Sequence, residues 1–133
     1  MHKNLPNFQH TFYIDVVGDQ TKEKFSGEFT YNRPNLRTIS EISKFKARLD
    51  GGLSNIEKET GFIHNMISQL RFTISAFPKW WEGSDFGLDL YDLNVVVEVY
   101  NNVMDFETKF FNDIAEEVKK EKQDDKKTET TEK

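Results

Sequence analysis

The sequence contains no cysteine, so neither a disulfide framework nor thiolate chemistry is open to it, and a cytoplasmic life fits. No apolar run approaches the length of a membrane span, and Met1 to Gln9 has no signal-peptide core, so no membrane is expected. A basic excess is also missing: 18 Lys and Arg face 23 Asp and Glu, a net charge of −5. That balance argues against a general binder of the phosphate backbone, so no nucleic-acid partner is expected. There is no phosphate loop, nucleophile elbow, HExxH motif or dinucleotide fingerprint. The three histidines are scattered: His2 lies in the N-terminal arm, His10 at the start of a strand, and His64 within a helix.

Apolar residues make up only 36% of the chain, so part of it is expected to stay outside any core. From Lys119 to Lys133 the run KKEKQDDKKTETTEK has no apolar side chain and cannot offset its ordering entropy by burial. It is expected to be a disordered charged tail. Its six Lys and five acidic residues, taken from the totals, leave 12 basic and 18 acidic residues in 1–118, a net of −6. The body is therefore the acidic part, and one domain of that length is expected. What it does have is aromatic bulk, with 12 Phe and 14% aromatics, enough to fill a core.

The first segment reads as β structure. His10–Val17 alternates, with Phe12, Ile14 and Val16 on one face and Tyr13, Asp15 and Val17 on the other. Gly18-Asp19-Gln20 supplies turn residues, and 23–31 alternates again with Phe25, Phe29 and Tyr31 on one face. Together these make an antiparallel hairpin over about residues 10–31. Gly27 interrupts the apolar face, as a close approach of a backbone or large ring would require.

After Asn32-Arg33-Pro34-Asn35 the period turns helical. Thr38 to Glu41 fits a capping box, and a helix over 38–50 should stop at Gly51-Gly52. A second box, Ser54 to Glu57, opens a helix over 54–77 that Pro78 closes. A loop comes next, and Asp92 is a good N-cap for a helix over 92–118. Val95-Val96-Val97 has strand propensity, but the stripe Val96, Val99, Val103, Phe106, Phe110 and Ile114 holds helical spacing over five turns. The expected class is α+β: an N-terminal antiparallel β-hairpin packed on about three α-helices, with a disordered charged C-terminal tail.

Asp85, Asp89 and Asp92 form the densest carboxylate cluster, but their spacings do not match a calcium loop. Capping and first-turn roles explain two of them. No metal, cofactor or catalytic set is assigned. Lys44, Lys46 and Arg48, with Arg33 and Arg37, are read as a solvated face or a local protein contact. The informative feature is the aromatic loop: Trp80, Trp81, Phe86 and Tyr91 are the candidate protein interface, because adjacent loop aromatics rarely all point inward, and the alternative is that both tryptophans are a lid over the helix pair.

The order of these features resembles the small tail assembly chaperones and related tail-gene proteins of long-tailed bacteriophages. The residues that carry the resemblance are Phe25-Ser26-Gly27-Glu28-Phe29, Arg33-Pro34, Gly51-Gly52, Pro78 with Trp80 and Trp81, and Tyr100, Asp105, Phe106 and Glu107. The resemblance spans Phe12 to Phe111. It implies a non-enzymatic protein of the bacterial host's cytoplasm that binds the tape measure protein and recruits tail tube subunits, with a homo-oligomer open. The alternative it leaves is a structural virion protein of the phage neck or tail completion region.

Overall fold

Two nine-residue strands, β1 (Gln9–Val17) and β2 (Lys24–Asn32), open the fold as an antiparallel hairpin in which His10 faces Tyr31, Phe12 faces Phe29, Ile14 faces Gly27 and Val16 faces Phe25. The computed structural model describes residues 7–52 and 55–131, with side chains to Lys122. Alternation sorts the hairpin into two surfaces. Phe12, Ile14, Phe25, Phe29 and Tyr31 are buried on one, while the other is wet, with Tyr13 exposed, Lys24 near Asp15 at 3.6 Å, and Thr11 bonded to Thr30 at 3.0 Å.

The chain then turns into α1 (Leu36–Leu49), α2 (Lys58–Thr73), β3 (Ile74–Ala76), α3 (Lys79–Gly83) and α4 (Leu93–Thr131). The fold is α+β, with the sheet ordered β1-β2-β3. Helix α1 begins earlier than the capping box suggests. Asn35 is its N-cap, and its side chain accepts from the Thr38 amide and hydroxyl, both at 2.9 Å. It ends as expected, with Gly51 and Gly52 at φ of 65° and 74°. For the second box, Ser54 lies outside the described residues; the N-cap of α2 is Glu57, without a side-chain bond.

Helix α2 is shorter than expected. It stops at Thr73, and Ile74–Ala76 pairs antiparallel with Thr30 and Tyr31 of β2 instead of extending the helix to Phe77. The β-branched pair Thr73-Ile74 suits that change, and the free edge of β2 supplies the ladder. Pro78 packs over Gly27, where a Cβ would lie 2.7 Å from its ring carbons. Thus the missing side chain on the apolar face makes room for a proline ring.

Helix α4 buries Val95, Val96, Val99, Val103 and Phe110, so the valine run is helical. Phe106 is half-buried, stacked on His10 at 4.8 Å. The helical backbone does not stop at Val118 but continues to Thr131, past the boundary that composition sets for the tail. Lys119, Lys120, Glu121 and Lys122 are exposed there, and Lys and Glu are good helix formers.

Candidate protein-binding site

The loop marked by the tryptophans is built differently from the sequence expectation. Residues 79–83 form the single turn of α3, which turns both indoles toward the sheet. Trp81 is completely buried and meets Phe29 edge-on at 5.4 Å. Trp80 is half-buried against Phe25 and Phe29, and its Nε1 donates to the Ser26 carbonyl at 2.9 Å. Phe86 is half-buried too, against Phe77 and below the Arg71 guanidinium. Of the four expected interface residues only Tyr91, 76% exposed, stands free on the surface. Trp81 belongs to the core because a helical turn, unlike an extended loop, can present adjacent rings to one apolar face.

Beyond α3 the chain makes a rigid bend. Asp85, Phe86 and Gly87 have φ of 52°, 57° and 91°, three consecutive left-handed residues. Ser84 holds them: its hydroxyl donates to Trp81 O at 2.9 Å and accepts from Gly87 N at 3.1 Å, while its carbonyl accepts from Asp89 N. Arg71 reaches Asp85 at 3.1 Å from the neighbouring helix. Gly87 is required twice over, by its φ and because a Cβ there would lie 2.9 Å from the Trp81 ring.

The bend sets Gly87, Leu88, Leu90 and Tyr91 around an apolar pocket of about 180 Å³ whose remaining wall is Ile63 and Ile67 of α2 and Leu93 and Val96 of α4. Binding sites for drug-sized molecules run roughly 300–1,000 Å³. This pocket is the size of one apolar side chain. Tyr91 and Leu88 at its rim are exposed, an amphipathic border of the kind that anchors protein contacts. Sequence reading missed Ile63, Ile67, Val96 and Leu93 as site residues, since at helical spacing they are indistinguishable from core.

The aspartates of the loop part company. Asp85 serves Arg71, Asp89 is exposed, and Asp92 turns away from its own helix into the β1–β2 turn. Among the described residues, no group of three His, Cys, Asp or Glu could hold a metal ion. Asp92 accepts from Gln20 N at 2.6 Å, Thr21 N at 3.0 Å and the Thr21 hydroxyl at 2.6 Å. The Thr21 hydroxyl bond, joined by the two amides, holds its carboxyl below the usual aspartate range. Asn94, two residues on, accepts from Asp19 N and donates to Val17 O. The loop is thus anchored to the hairpin just beyond the pocket.

The other ionisable clusters are likewise occupied by structure. Glu107 accepts from the Tyr31 hydroxyl and takes Arg33 Nε at 3.0 and 3.1 Å, while the Arg33 guanidinium lies 4.1 Å above Phe110. Burial, then Glu107, pushes the Tyr31 phenol well above its ordinary range. Asp50 takes His64 Nδ1 at 2.6 Å and Lys46 Nζ at 2.9 Å, which hold its carboxyl low. Lys44 lies 3.7 Å from Glu41 and Arg48 sits over Phe45, while Arg37, Lys44 and Arg48 all stay exposed, as a solvated face does. No protein-family model, curated protein or solved structure matches the chain.

Proposed function

We propose that this chain is a non-enzymatic protein-binding factor of phage tail morphogenesis, acting as a tail assembly chaperone does. The observation that carries the reading is the apolar pocket of Ile63, Ile67, Leu88, Leu90, Leu93 and Val96, rimmed by exposed Tyr91. It would take one apolar side chain from a helix of the tape measure protein, whose ridges need cover until the tail tube closes round them. A bend locked by Ser84, Asp85 and Gly87 keeps the pocket open without a partner, which limits the ordering cost of binding. The client's identity comes from the resemblance in the hairpin, the Arg33-Pro34 junction and the tryptophan loop.

The test is co-production of the chain with the tape measure and tail tube proteins in a bacterial cytoplasm. Soluble tape measure protein that co-purifies with the wild type, and is lost with Leu88→Asp, supports the reading. Mass spectrometry of purified particles separates it from a structural role: a chaperone is absent from them, and a neck or completion protein is present in them.

A further inference from the structure

The phase of the hairpin ladder determines what β1 leaves unpaired. Arg33 N donates to Phe8 O and Gly18 N donates to Glu23 O, so the hydrogen-bonded pairs of the hairpin are those of the even residues of β1. Gln9, Thr11, Tyr13, Asp15 and Val17 therefore turn their main-chain groups outward, along the free edge of the sheet. Two of those groups are capped within the chain: Gln9 N by Asn7 Oδ1 at 3.1 Å, and Val17 O by Asn94 Nδ2 at 2.9 Å. The others have no partner among the described residues: Gln9 O, both groups of Thr11, Tyr13 and Asp15, and Val17 N.

This edge also has few of the usual guards, with Asp15 its one formal charge. Gln9–Val17 contains no Lys, Pro or Gly, whereas β3, the opposite edge, is three residues long and has Pro78 close behind it. Helix α4 does not close it off. Between the helix and the strand end runs a groove of about 500 Å³, bordered by Gln9, His10, Asn102, Asp105, Phe106 and Lys109.

We infer that β1 pairs antiparallel with β1 of a second copy about a twofold axis through Tyr13, joining the two sheets into one. In that register Tyr13 faces Tyr13, Thr11 faces Asp15 and Gln9 faces Val17. Every free donor then meets a free acceptor. The two groups left over at each end, Gln9 N and Val17 O, are the two that each copy has already capped. A shift of two residues either way sets a capped group against a free one. The register opposes no like charges, since each Asp15 faces a Thr11 and keeps Lys24 beside it on its own sheet. A patch that complements itself in this way is what a closed twofold dimer needs. The inference stands apart from the client pocket, which lies between α2 and the bend and shares no lining residue with this edge's groove.

The experiment is sedimentation equilibrium on the full chain and on two variants at Tyr13, with two cysteine variants for cross-linking, all on the solvent face of the hairpin. The wild type should sediment as a dimer. Tyr13→Pro, which removes a central donor, and Tyr13→Lys, which keeps the main chain but opposes two cations at the axis, should both sediment as monomers with unchanged circular dichroism. Because the chain has no cysteine, Tyr13→Cys should form a disulfide-linked dimer on mild oxidation. Glu28→Cys, its neighbour on β2, should not. A wild type that stays monomeric at all soluble concentrations overturns the inference. So does a dimer that survives Tyr13→Lys without cross-linking through Tyr13→Cys.

Discussion

The Asp92 carboxylate fills the space that a side chain on Gly18 would need: a Cβ at residue 18 would lie 2.2 Å from Asp92 Oδ2. The glycine is there so that the head of α4 can reach the hairpin turn. Gly18→Ala should therefore expel the carboxylate and lower the melting temperature, while the same change in an Asp92→Ala background should cost much less. A double-mutant cycle read by thermal melting checks this. Equal losses in both backgrounds would mean that the two residues act independently.

The same carboxylate sets an acid limit on stability. Asp92 and Asp50 both have folded pKa values below the ordinary 3.8, through the Thr21 hydroxyl for one and His64 for the other. A depressed folded value contributes stability that is complete above 3.8 and disappears as pH falls through the lower folded value. The wild type should lose melting temperature steeply below that point. Asp92→Asn should start lower at neutral pH and fall less on acidification, as parallel melts from about pH 7 downward would show.

On α4 the buried ring matters more than its neighbour. Phe110 is 2% exposed, and Phe110→Ala should cost about 3–5 kcal/mol, the usual scale for aromatic truncation in a core. Phe106→Ala should cost less, because that ring is half-buried and stacks on His10 near the groove. Urea denaturation of both variants gives the order. A larger loss at Phe106 would place the core boundary elsewhere along the helix.

The indoles offer an optical check on α3. In Trp81→Phe the remaining Trp80 should be quenched measurably by acrylamide. In Trp80→Phe the remaining Trp81, fully buried, should be shielded. Equal quenching of the two would contradict the buried position of Trp81.

Where local pattern and tertiary burial coincide, the sequence is readable. The period of two in β1 and β2 is visible because only one sheet face is buried, and Gly27 stands out because the apolar face is otherwise unbroken. The valine and phenylalanine stripe of α4 is visible because it persists over five turns. The third strand is not, since Leu70, Ile74 and Phe77 keep helical spacing and only the distant edge of β2 turns the chain. Asp92 reads locally as a cap, yet its partners Gln20 and Thr21 lie 72 and 71 residues away. The Trp80-Trp81 pair stays open between surface and lid because no local pattern announces a single helical turn. The pocket is half legible: Tyr91 can be singled out, while Ile63, Ile67 and Val96 carry no mark that separates a pocket wall from a core.

The most direct test of the proposed function is a calorimetric titration of the chain with helical peptides cut from the tape measure protein. Saturable binding is expected for the wild type. Tyr91→Ala should weaken it about thirtyfold or more, the scale of an interface hot spot, with the melting temperature unchanged because that side chain is 76% exposed. A wild type that binds none of the peptides, or binding that Tyr91→Ala and Leu88→Asp both leave intact, would contradict the pocket as the client site.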